Sequence, residues 1–575
     1  DLSRLTDIKT AFVIGLNEGV LPMKATEEGI FSDNDRQALN KAGIEVAPDS
    51  TVKLFDEEFT AYKAFTTASQ ALYLSYPLGD EEGSSLLPSP YIKRVKEVLP
   101  NVRELYLQNE ASEDTRENQL QYMVNQDVSL SYLAAVLQMK KRGYKVDEVW
   151  YSLYNKLLSS EKHNVKKVLS SLFYENKAKQ LSEKTSLQLY GNHLKASVSR
   201  MEKYNSCAFS HFASHGLKLK ERQIFRLEAP DIGEMFHGAL KIISDTLLKE
   251  NRAWSTLTKD ECQRLASIAV NQLAPKLQNQ ILLSTNRNFY IQRKLENVIS
   301  RASIVLSEQA RHSGFVPIKL EQAFGFEGKD VLPALTFTLA NGTKMELVGR
   351  IDRIDKAEYN NQVYVRIIDY KSSVKDVNLD EVYYGLALQM LTYLDVIISH
   401  AHTLIGTNAT PAGMLYFHVH NPIIKANEML DEDKIEKEIF KKFKMKGLLL
   451  ADQDVLQLMD DQLQIGVSST SNIVTANFLK SGGIGKSSKV AREEDFKTLR
   501  NYVHTIYEKA GNEIISGETT INPYKFKDRV PCTYCSFKTV CMFDGALEEN
   551  QYRLLQPKSS EDVLSIIKGK EGAHD

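Results

Sequence analysis

Two neighbouring segments that alternate like strands, joined by a pair of asparagines, constrain the fold of this chain more than any other feature. Residues 345–355 and 363–371 alternate apolar and polar side chains with the period of two that a β-strand requires. Asparagine tolerates a positive φ angle, so Asn360 and Asn361 between these segments favour a two-residue type I′ turn. The sequence therefore predicts an antiparallel hairpin over residues 345–371.

The turn also determines which residues of the hairpin face each other. Pairing of Tyr359 with Gln362 places Asp352 directly opposite Asp369, and directly opposed side chains share a face with Cβ atoms about 4.5–5.5 Å apart. Lys371 lies two residues beyond Asp369 and shares that face. Two carboxylates at that distance repel each other unless a cation lies between them, and Mg²⁺ prefers oxygen ligands. The register therefore favours a Mg²⁺ site; the alternative is a solvated surface hairpin with scattered charges.

Asp352, followed by Asp369-Tyr370-Lys371, resembles the D…(D/E)xK signature of the restriction-endonuclease-like nucleases. Enzymes of that family hold Mg²⁺ on two acidic residues and use the lysine in the attack on a phosphodiester. The resemblance implies that Asp352, Asp369 and the main-chain carbonyl of Tyr370 bind the metal ion. It also implies that Lys371 positions the attacking water.

Two further motifs resemble the RecB-type branch of this nuclease family. Gly233 to His237 matches its GxxxH motif, which implies that His237 is another metal ligand; without the resemblance, a single histidine beside an apolar helix stripe is usually structural. Gln389 and Tyr393 lie four residues apart on a helix predicted over residues 380–398, so they share a face. They match the QxxxY motif of that branch, which implies a contact with DNA near the site.

Three of the five cysteines form a spacing pattern that calls for a shared site. Cys532, Cys535 and Cys541 are spaced CxxCx₅C, and Cys207 is the candidate for a fourth ligand, whereas Cys262 lies within a predicted helix as an ordinary buried thiol. Four thiolates suit either tetrahedral zinc or an iron–sulfur cluster, and the spacing does not choose between them. Unrelated reduced cysteines are the remaining alternative.

One cysteine upstream of the nuclease core and CxxCx₅C downstream resembles the arrangement of iron–sulfur nucleases, which include Cas4-like and Dna2-like enzymes. The resemblance implies a [4Fe–4S] cluster on Cys207, Cys532, Cys535 and Cys541 that ties the two ends of the domain together. Ala208 departs from the family, which usually has proline after the first cysteine, but the change removes no ligand.

Composition restricts the class of protein only loosely. The chain has 575 residues, which is too long for one core, and its 42% hydrophobic and 25% charged residues are ordinary for a soluble globular protein. The formal net charge of −2 gives no indication of nucleic-acid binding, although a local basic channel is compatible with it. The sequence has no signal peptide and no apolar run that could span a bilayer. Because the first residue is Asp, we expect the chain to be part of a longer protein.

Residues 12–22 and 57–76 resemble two segments of UvrD-type helicases. Thr67 stands where active motors have an arginine that contacts the γ-phosphate of ATP, and a neutral hydroxyl cannot supply that charge. We therefore expect no ATPase activity from this part. Residues 480–487 resemble a P-loop, but Lys480 replaces the first glycine, so we interpret them as a flexible loop rather than an ATP site.

A degenerate helicase segment joined to an iron–sulfur nuclease resembles the AddB/RexB family of bacterial helicase–nucleases. The implied fold class is α/β: a partial RecA-like helicase domain over residues 1–90, a helical connector over 91–190, and a RecB-type nuclease domain with its iron–sulfur site over 191–575. The family resemblance also implies a bacterial cytoplasmic location.

The implied function is a Mg²⁺-dependent DNA exonuclease subunit that processes double-strand breaks for homologous recombination and cuts the 5′-terminated strand. Its partners would be DNA and the AddA/RexA motor subunit, in a heterodimer. Two alternatives remain open: a DNA-end-binding or scaffold subunit with a silent nuclease site, and a separate Cas4-like or Dna2-like nuclease. A complete set of site residues favours activity, because a silent site should have lost some of them.

Overall fold

A computed structural model describes residues 6–23, 31–80, 84–108, 111, 115–159, 164–222, 224–424, 431–547 and 549–571. The chain divides into two units, Asp1–Phe173 and Tyr174–Asp575. The domain boundaries near residues 90 and 190 stay predictions.

The first unit begins with a two-stranded parallel sheet. Its strands are β1 (Thr10–Val13) and β2 (Ala71–Leu74), and the helices α1 (Asp33–Lys41) and α2 (Ser50–Thr66) lie between them in the chain. Parallel strands need such a crossover because a tight turn cannot join them. Thr67 follows the last residue of α2.

The remainder of this unit is helical, as predicted. Its helices are α3 (Pro90–Val98), α4 (Arg116–Leu120), α5 (Gln126–Lys141), α6 (Glu148–Leu158) and α7 (Asn164–Ser170). A small core forms around Trp150, which is fully buried and donates its indole N–H to Gln119 Oε1 at 2.7 Å. This hydrogen bond gives the indole N–H a partner, which a buried tryptophan needs because water cannot reach it.

The second unit is a mixed α/β fold with its own extensive core. Its first half contains α8 (Glu183–Tyr190), β3 (His193–Ser197), α9 (Val198–Ser206), α10 (Ala208–His211), α11 (Ala229–Lys249), α12 (Lys259–Leu273), α13 (Asn286–Arg311), β4 (Val316–Phe324), β5 (Leu335–Thr338), β6 (Lys344–Tyr359) and β7 (Gln362–Lys371). Its second half contains α14 (Leu379–Tyr383), α15 (Gln389–Ser399), α16 (Ala401–Ile405), β8 (Thr410–His418), α17 (Glu432–Lys442), β9 (Lys446–Leu450), α18 (Gln453–Met459), β10 (Ser469–Thr470), β11 (Asn477–Phe478), β12 (Val490–Ala491), α19 (Glu493–Ile515), β13 (Tyr524–Phe526), α20 (Lys538–Cys541), β14 (Arg553–Leu555) and α21 (Ser560–Glu571).

An eight-stranded mixed sheet organises this unit. Its main path runs β12-β9-β8-β7-β6-β3, and β4 and β5 also pair with β6. The long strand β6 changes partners along its length: its first residues pair with β3 and β5, and its later residues pair with β4 and β7. Within the described residues, no helix has both the length and the apolar character needed to cross a bilayer.

The predicted hairpin is β6 and β7, and its register is the predicted one. Tyr359 pairs with Gln362, and the ladder continues to Arg353 opposite Ile368. Asn360 and Asn361 have φ angles of 48° and 59°, and positive φ at both central positions is what a type I′ turn requires.

The single helix predicted over residues 380–398 is wrong. The segment forms two helices, α14 and α15, separated by Gly385, which has a φ angle of +73°. The amide of Asn205 donates to the carbonyl of Gly385 at 3.1 Å, and an added Cβ at Gly385 would lie 2.5 Å from that amide. This contact comes from a distant part of the chain and requires glycine at a left-handed position. As a result, Gln389 begins a new helix.

The P-loop-like segment is a loop built around Asn477. The amide of Gly485 donates to the carbonyl of Asn477 at 2.8 Å, and Ser487 Oγ donates to its side-chain oxygen at 2.6 Å. The amide of Leu479 donates to the carbonyl of Gly483 at 2.8 Å. A phosphate cradle needs main-chain amides that point at the ligand, so these internal hydrogen bonds favour a structural loop over an ATP site.

Candidate active site

Three adjacent strands carry acidic residues in one row. The β4–β6 register brings Glu321 level with Asp352, and the β6–β7 register brings Asp352 level with Asp369. The paired β6–β7 ladder ends one residue before this level, so both aspartates lie where the two strands begin to separate. Glu321 has a left-handed φ angle of 48° within β4. The predicted facing pair is therefore part of a longer acidic row.

Three side chains form a compact group of potential metal ligands. The donor atoms of His237, Glu321 and Asp352 all lie within 4.8 Å of one another. His237 comes from α11, and its Nδ1 lies 3.0 Å from Asp352 Oδ2. An imidazole and two carboxylates are ligands that divalent cations accept. The structure thus brings His237 and Asp352 together as predicted and adds Glu321, which sequence reasoning missed.

Asp369 is held from two sides. Lys371 Nζ lies 2.5 Å from Asp369 Oδ2, and Gln389 Nε2 donates to Asp369 Oδ1 at 2.9 Å. The same Gln389 nitrogen lies 3.2 Å from the hydroxyl oxygen of Tyr393, to which it donates. Two of the predicted residues, Lys371 and Gln389, therefore contact one carboxylate, and Tyr393 contacts Gln389. Helix α15 supplies Gln389 and Tyr393.

The main chain of Tyr370 fixes the other aspartate. Its amide donates to Asp352 Oδ2 at 2.9 Å. The same oxygen faces His237 Nδ1, so Asp352 connects β7 to α11. The ring of Tyr370 is buried, only 4% exposed. These contacts hold the Asp352 carboxylate in place before any ligand binds.

The opposite face of the hairpin contains a buried ion-pair triad. Arg353 Nε lies 2.6 Å from Asp355 Oδ1, and Arg366 Nη2 lies 2.9 Å from Asp355 Oδ2. All three side chains are almost fully buried, and Arg366 stacks over the ring of Phe315. Two cations against one anion leave a net positive charge on this face of the hairpin.

Burial and mutual repulsion disfavour the ionised forms of the carboxyl groups in the acidic row. Burial and the charge of Asp352 raise the pKa of Asp369 to about 6, against the opposing effect of Lys371. Burial and the same aspartate also raise the pKa of Glu321. Burial acts to lower the pKa of His237, but the hydrogen bond with Asp352 and its charge outweigh burial and raise it. The site therefore holds more negative charge than its own side chains neutralise, and a cation would relieve the repulsion.

Glu202 is a second residue that sequence reasoning missed. It lies on α9, and its Oε1 accepts hydrogen bonds from the main-chain amides of Leu388 and Gln389 at 2.7 and 3.1 Å. Burial raises the pKa of Glu202, although these two hydrogen bonds and the nearby Lys375 oppose the shift. Its role depends on contacts across 186 and 187 positions of sequence, and no local motif marks it.

The four predicted cysteines line one cavity of about 490 Å³. Cys207 directly follows α9, Cys532 lies in a 3₁₀ turn, and Cys541 ends α20. Burial raises the pKa of the Cys541 thiol to about 11, and the neighbouring thiols add to the shift. Cys262 is separate, fully buried within α12, as predicted.

The cysteine cavity is fixed by hydrogen bonds between distant segments. The main-chain amide of Ala208, next to Cys207, donates to Asn522 Oδ1 at 2.9 Å. The buried side-chain amide of Asn176 donates to the carbonyls of Cys541 and Met542 at 3.1 and 2.9 Å, and to Asn550 Oδ1 at 2.8 Å. Chain segments more than 300 positions apart thus meet at the cysteines.

Comparison with known proteins agrees with this geometry. Residues 195–542 match the model of the PD-(D/E)XK nuclease superfamily, and residues 115–171 match the ATP-dependent helicase/deoxyribonuclease AddB fifth domain. The first range contains the acidic row, His237, Lys371, Gln389 and the four cysteines.

Curated relatives are named as the B subunits of ATP-dependent helicase/deoxyribonucleases. The chain is 51% identical over 569 residues to the relative from Bacillus subtilis, covering 99% of this chain and 48% of that protein. It is 50% identical over 574 residues to the relative of the same name from Bacillus licheniformis, covering 100% of this chain and 49% of the relative. The chain spans about half the length of the curated relatives it matches. The predicted resemblance to AddB/RexB is confirmed, and the chain belongs to the PD-(D/E)XK nuclease superfamily.

Proposed function

We propose that this chain is a Mg²⁺-dependent deoxyribonuclease that hydrolyses phosphodiester bonds. The observation that carries the proposal is the acidic row with Lys371 and Gln389 on Asp369 and with His237 on Asp352. Buried like charges in one row are unfavourable for stability, and such an arrangement is typical of a functional site.

The donor set fits Mg²⁺. The raised pKa of Asp369 reflects burial together with repulsion from Asp352, and oxygen ligands suit a hard divalent cation. We infer that Asp352, Asp369 and the carbonyl of Tyr370 hold the ion with His237, and that Glu321 contributes a further carboxylate. When bound, Mg²⁺ supplies Lewis acidity that stabilises charge developing on the phosphate.

The chain's own residues supply orientation. Lys371 is only 22% exposed on its side chain and lies against Asp369, so its ammonium can orient a water molecule and a phosphate oxygen at the acidic row. Gln389 holds Asp369 in place through its side-chain NH₂ group. Its side-chain oxygen has no hydrogen-bond donor among the described residues, and we infer that it contacts the substrate. The hydroxyl of Tyr393 limits the rotation of Gln389. Such pre-positioned groups reduce the reorganisation needed during reaction.

Substrate and partners follow from the relatives' names and from the family resemblance. Proteins named as B subunits of an ATP-dependent helicase/deoxyribonuclease act, by that name, on DNA as part of a larger enzyme. We infer that this chain is the exonuclease part of such a protein, paired with an AddA/RexA motor, and that it cuts the 5′-terminated strand during processing of double-strand breaks. Thr67 supports a motor role for the partner rather than for this chain.

We also propose a [4Fe–4S] cluster on Cys207, Cys532, Cys535 and Cys541. The four cysteines line one cavity, which suits either a zinc ion or an iron–sulfur cluster as far as the ligands are concerned. The resemblance of the cysteine arrangement to that of iron–sulfur nucleases favours the cluster.

Cleavage by an Asp369→Ala variant tests the nuclease proposal. Loss of several kcal/mol of charge stabilisation predicts a fall of about 10³-fold or more in the rate of Mg²⁺-dependent DNA cleavage. Asp433→Ala, on the exposed face of α17, is the control and should cleave normally. Unchanged cleavage by Asp369→Ala would refute the assignment. DNA-end binding by the wild type without any Mg²⁺-dependent cutting, even with the motor subunit, would favour the scaffold alternative.

Metal analysis of anaerobically purified protein tests the cluster. We expect a brown protein containing iron and acid-labile sulfide, and loss of both in Cys532→Ser. The control Cys262→Ala removes a cysteine outside the cavity and should keep its iron. A colourless protein with stoichiometric zinc would contradict the cluster.

A further inference from the structure

Helix α15 carries Gln389 and Tyr393 but begins without a cap of its own. Its N-cap residue is Leu388, which has no side-chain group that can accept a hydrogen bond. The first amides of an α-helix have no partner within the helix, and an unpaired amide in a buried position is costly. This helix is buried over most of its length, from Met390 to Ile397. Its first turn therefore needs an acceptor from elsewhere.

Glu202 of α9 supplies that acceptor. A single oxygen, Oε1, receives both the Leu388 amide at 2.7 Å and the Gln389 amide at 3.1 Å. The carboxylate also lies at the positive end of the α15 dipole, where a negative charge is stabilised. Glu202 thus replaces the Ser, Thr, Asp or Asn that normally caps a helix from its own N-cap position.

The capped turn is the one that reaches the acidic row. Gln389 is the first residue of α15, and its side chain donates to Asp369 at 2.9 Å. The Glu202 carboxylate binds the main-chain amide of Gln389, and the side chain of Gln389 binds Asp369. A shift of this turn moves the amide group of Gln389 relative to the carboxylate, and misplacement by about 1 Å can cost about 10²-fold in rate.

The other end of α9 leads to the cysteine cavity. Cys207 is the C-cap residue of α9 and lies five positions after Glu202, about 7.5 Å along a helix. Asn205, in the last turn, donates to the carbonyl of Gly385 just before α15. Arg553 donates to the carbonyls of Asn205 and Ser206 at the end of α9. One nine-residue helix therefore contacts both sites.

We propose that Glu202 is a positioning residue for the nuclease site, and that α9 transmits the state of the cysteine site to α15 through it. The inference rests on the proposed nuclease and cysteine-site functions and adds a residue that acts through the main chain of Leu388 and Gln389. Occupation of the cysteine site fixes the C-terminal end of α9. The position of α9 then fixes Glu202, the first turn of α15, and the side chain of Gln389.

Two substitutions separate the acceptor from the charge. Glu202→Ala removes the acceptor, so the Leu388 and Gln389 amides should exchange about fivefold faster with solvent deuterium. Cleavage should lose up to about 10²-fold in kcat with little change in KM for DNA. Glu202→Gln keeps an acceptor oxygen without the charge and should restore kcat to within about two- to fivefold of wild type. Glu508→Ala, on the exposed face of α19, is the control.

The coupling is tested by a double-mutant cycle in the intact protein with its partner subunit. Cys541→Ser should slow cleavage in the wild-type background by a larger factor than in the Glu202→Ala background, with non-additivity of about threefold or more. If Cys541→Ser does not fold, deuterium exchange at the first turn of α15 is compared in wild type before and after removal of iron from the cysteine site, with Mg²⁺ kept constant. The Leu388 and Gln389 amides should exchange faster after the iron is removed.

The outcomes distinguish this inference from the function on which it rests. Asp369→Ala is assayed alongside, and cleavage by that variant would refute the nuclease site itself. An inactive Asp369→Ala with normal kcat and normal exchange in Glu202→Ala would overturn the role of Glu202. Failure of Glu202→Gln to restore kcat would overturn the capping mechanism. Either of two results would overturn the coupling. One is a strictly multiplicative effect of the two substitutions on the cleavage rate, and the other is deuterium exchange at α15 that does not change when iron is removed.

Discussion

At Asp369, burial and the charge of Asp352 disfavour ionisation and raise the pKa from its ordinary value of 3.8 to about 6. Between about pH 4 and pH 6, the folded protein therefore keeps a proton on Asp369 that the unfolded chain has already released. Without metal, this carboxyl group makes the protein less stable as the pH rises through that window. Above about pH 6 the destabilisation is complete, because both states are then ionised.

Replacement of this carboxylate should stabilise the metal-free protein. We expect Asp369→Asn to raise the free energy of unfolding by about 1–3 kcal/mol near pH 8, and the difference to disappear near pH 4. Urea unfolding in the presence of a chelator measures both values. Added Mg²⁺ should stabilise the wild type more than the variant, because only the wild type binds the ion tightly. A variant that is less stable at pH 8 would contradict the proposed repulsion.

The sequence predicted the position of Asp352 and Asp369, which a short turn aligns. It did not predict the position of Glu321, which no short turn aligns. Asn360 and Asn361 set the register locally, so the level of Asp352 and Asp369 followed from four residues. Glu321 lies in β4, which is joined to β6 by a long connection that includes β5. The pairing of β4 with β6 also has a register shift between Pro317 and Lys319. No turn type fixes such a register in advance.

Helix α15 is attached to α19 through a buried acid. Asp395 accepts from Arg500 Nε at 2.6 Å and from His504 Nε2 at 2.7 Å. Burial acts to raise the pKa of Asp395, but the hydrogen bond from His504 and the charge of Arg500 outweigh it and hold the pKa below its ordinary value. The ion pairs therefore stabilise the protein above about pH 4, and this contribution is lost as the pH falls through the lowered pKa.

Removal of that charge should weaken the attachment. We expect Asp395→Asn to lower the free energy of unfolding by about 2–3 kcal/mol near pH 7, less than a fully buried pair would lose, because Arg500 and His504 are partly exposed. The difference should shrink below about pH 4. Chemical unfolding at the two pH values measures it, with Glu508→Gln as a control for charge on α19. Equal stability of Asp395→Asn and wild type near pH 7 would show that the pairs contribute nothing.

Elements with local end signals were easier to predict than elements ended by distant contacts. The start of α11, which carries His237, is marked by Pro230 and by the hydrogen bond from the Glu228 amide to Asp231 Oδ2. The break before α15 depends instead on Asn205, which lies 180 positions away. Periodicity alone could not locate that break, since both segments on either side of it have helical spacing.

At the scale of the molecule, the second unit carries its own core and should fold alone. Its buried cluster is drawn from residues 194–567, and Asn176 at its start bonds to the carbonyls beside Cys541. We expect a protein of residues 174–575 to unfold in one cooperative transition. A protein of residues 191–575, which begins at the predicted domain boundary, lacks Asn176 and α8 and should be less stable by about 2–4 kcal/mol.

Calorimetry of the two proteins, with iron content as a second measurement, tests this boundary. Loss of Asn176 should also lower iron retention, because its amide holds the carbonyls of Cys541 and Met542. Equal stability and equal iron content would place the functional boundary at 190 instead.

The two-residue turn of the hairpin also has a consequence for the order of folding. Asp352 and Asp369 are 17 positions apart, whereas Cys207 and Cys541 are separated by 334. A hairpin forms in about 1–10 μs, but at about 5–20 residues per second the ribosome needs roughly 10–30 s to proceed from residue 371 to residue 541. We therefore expect the two acids to face each other on the nascent chain long before the last cysteine is synthesised. Closure of the domain at the cysteines would then be a late step that completes a cutting site already aligned by local contacts.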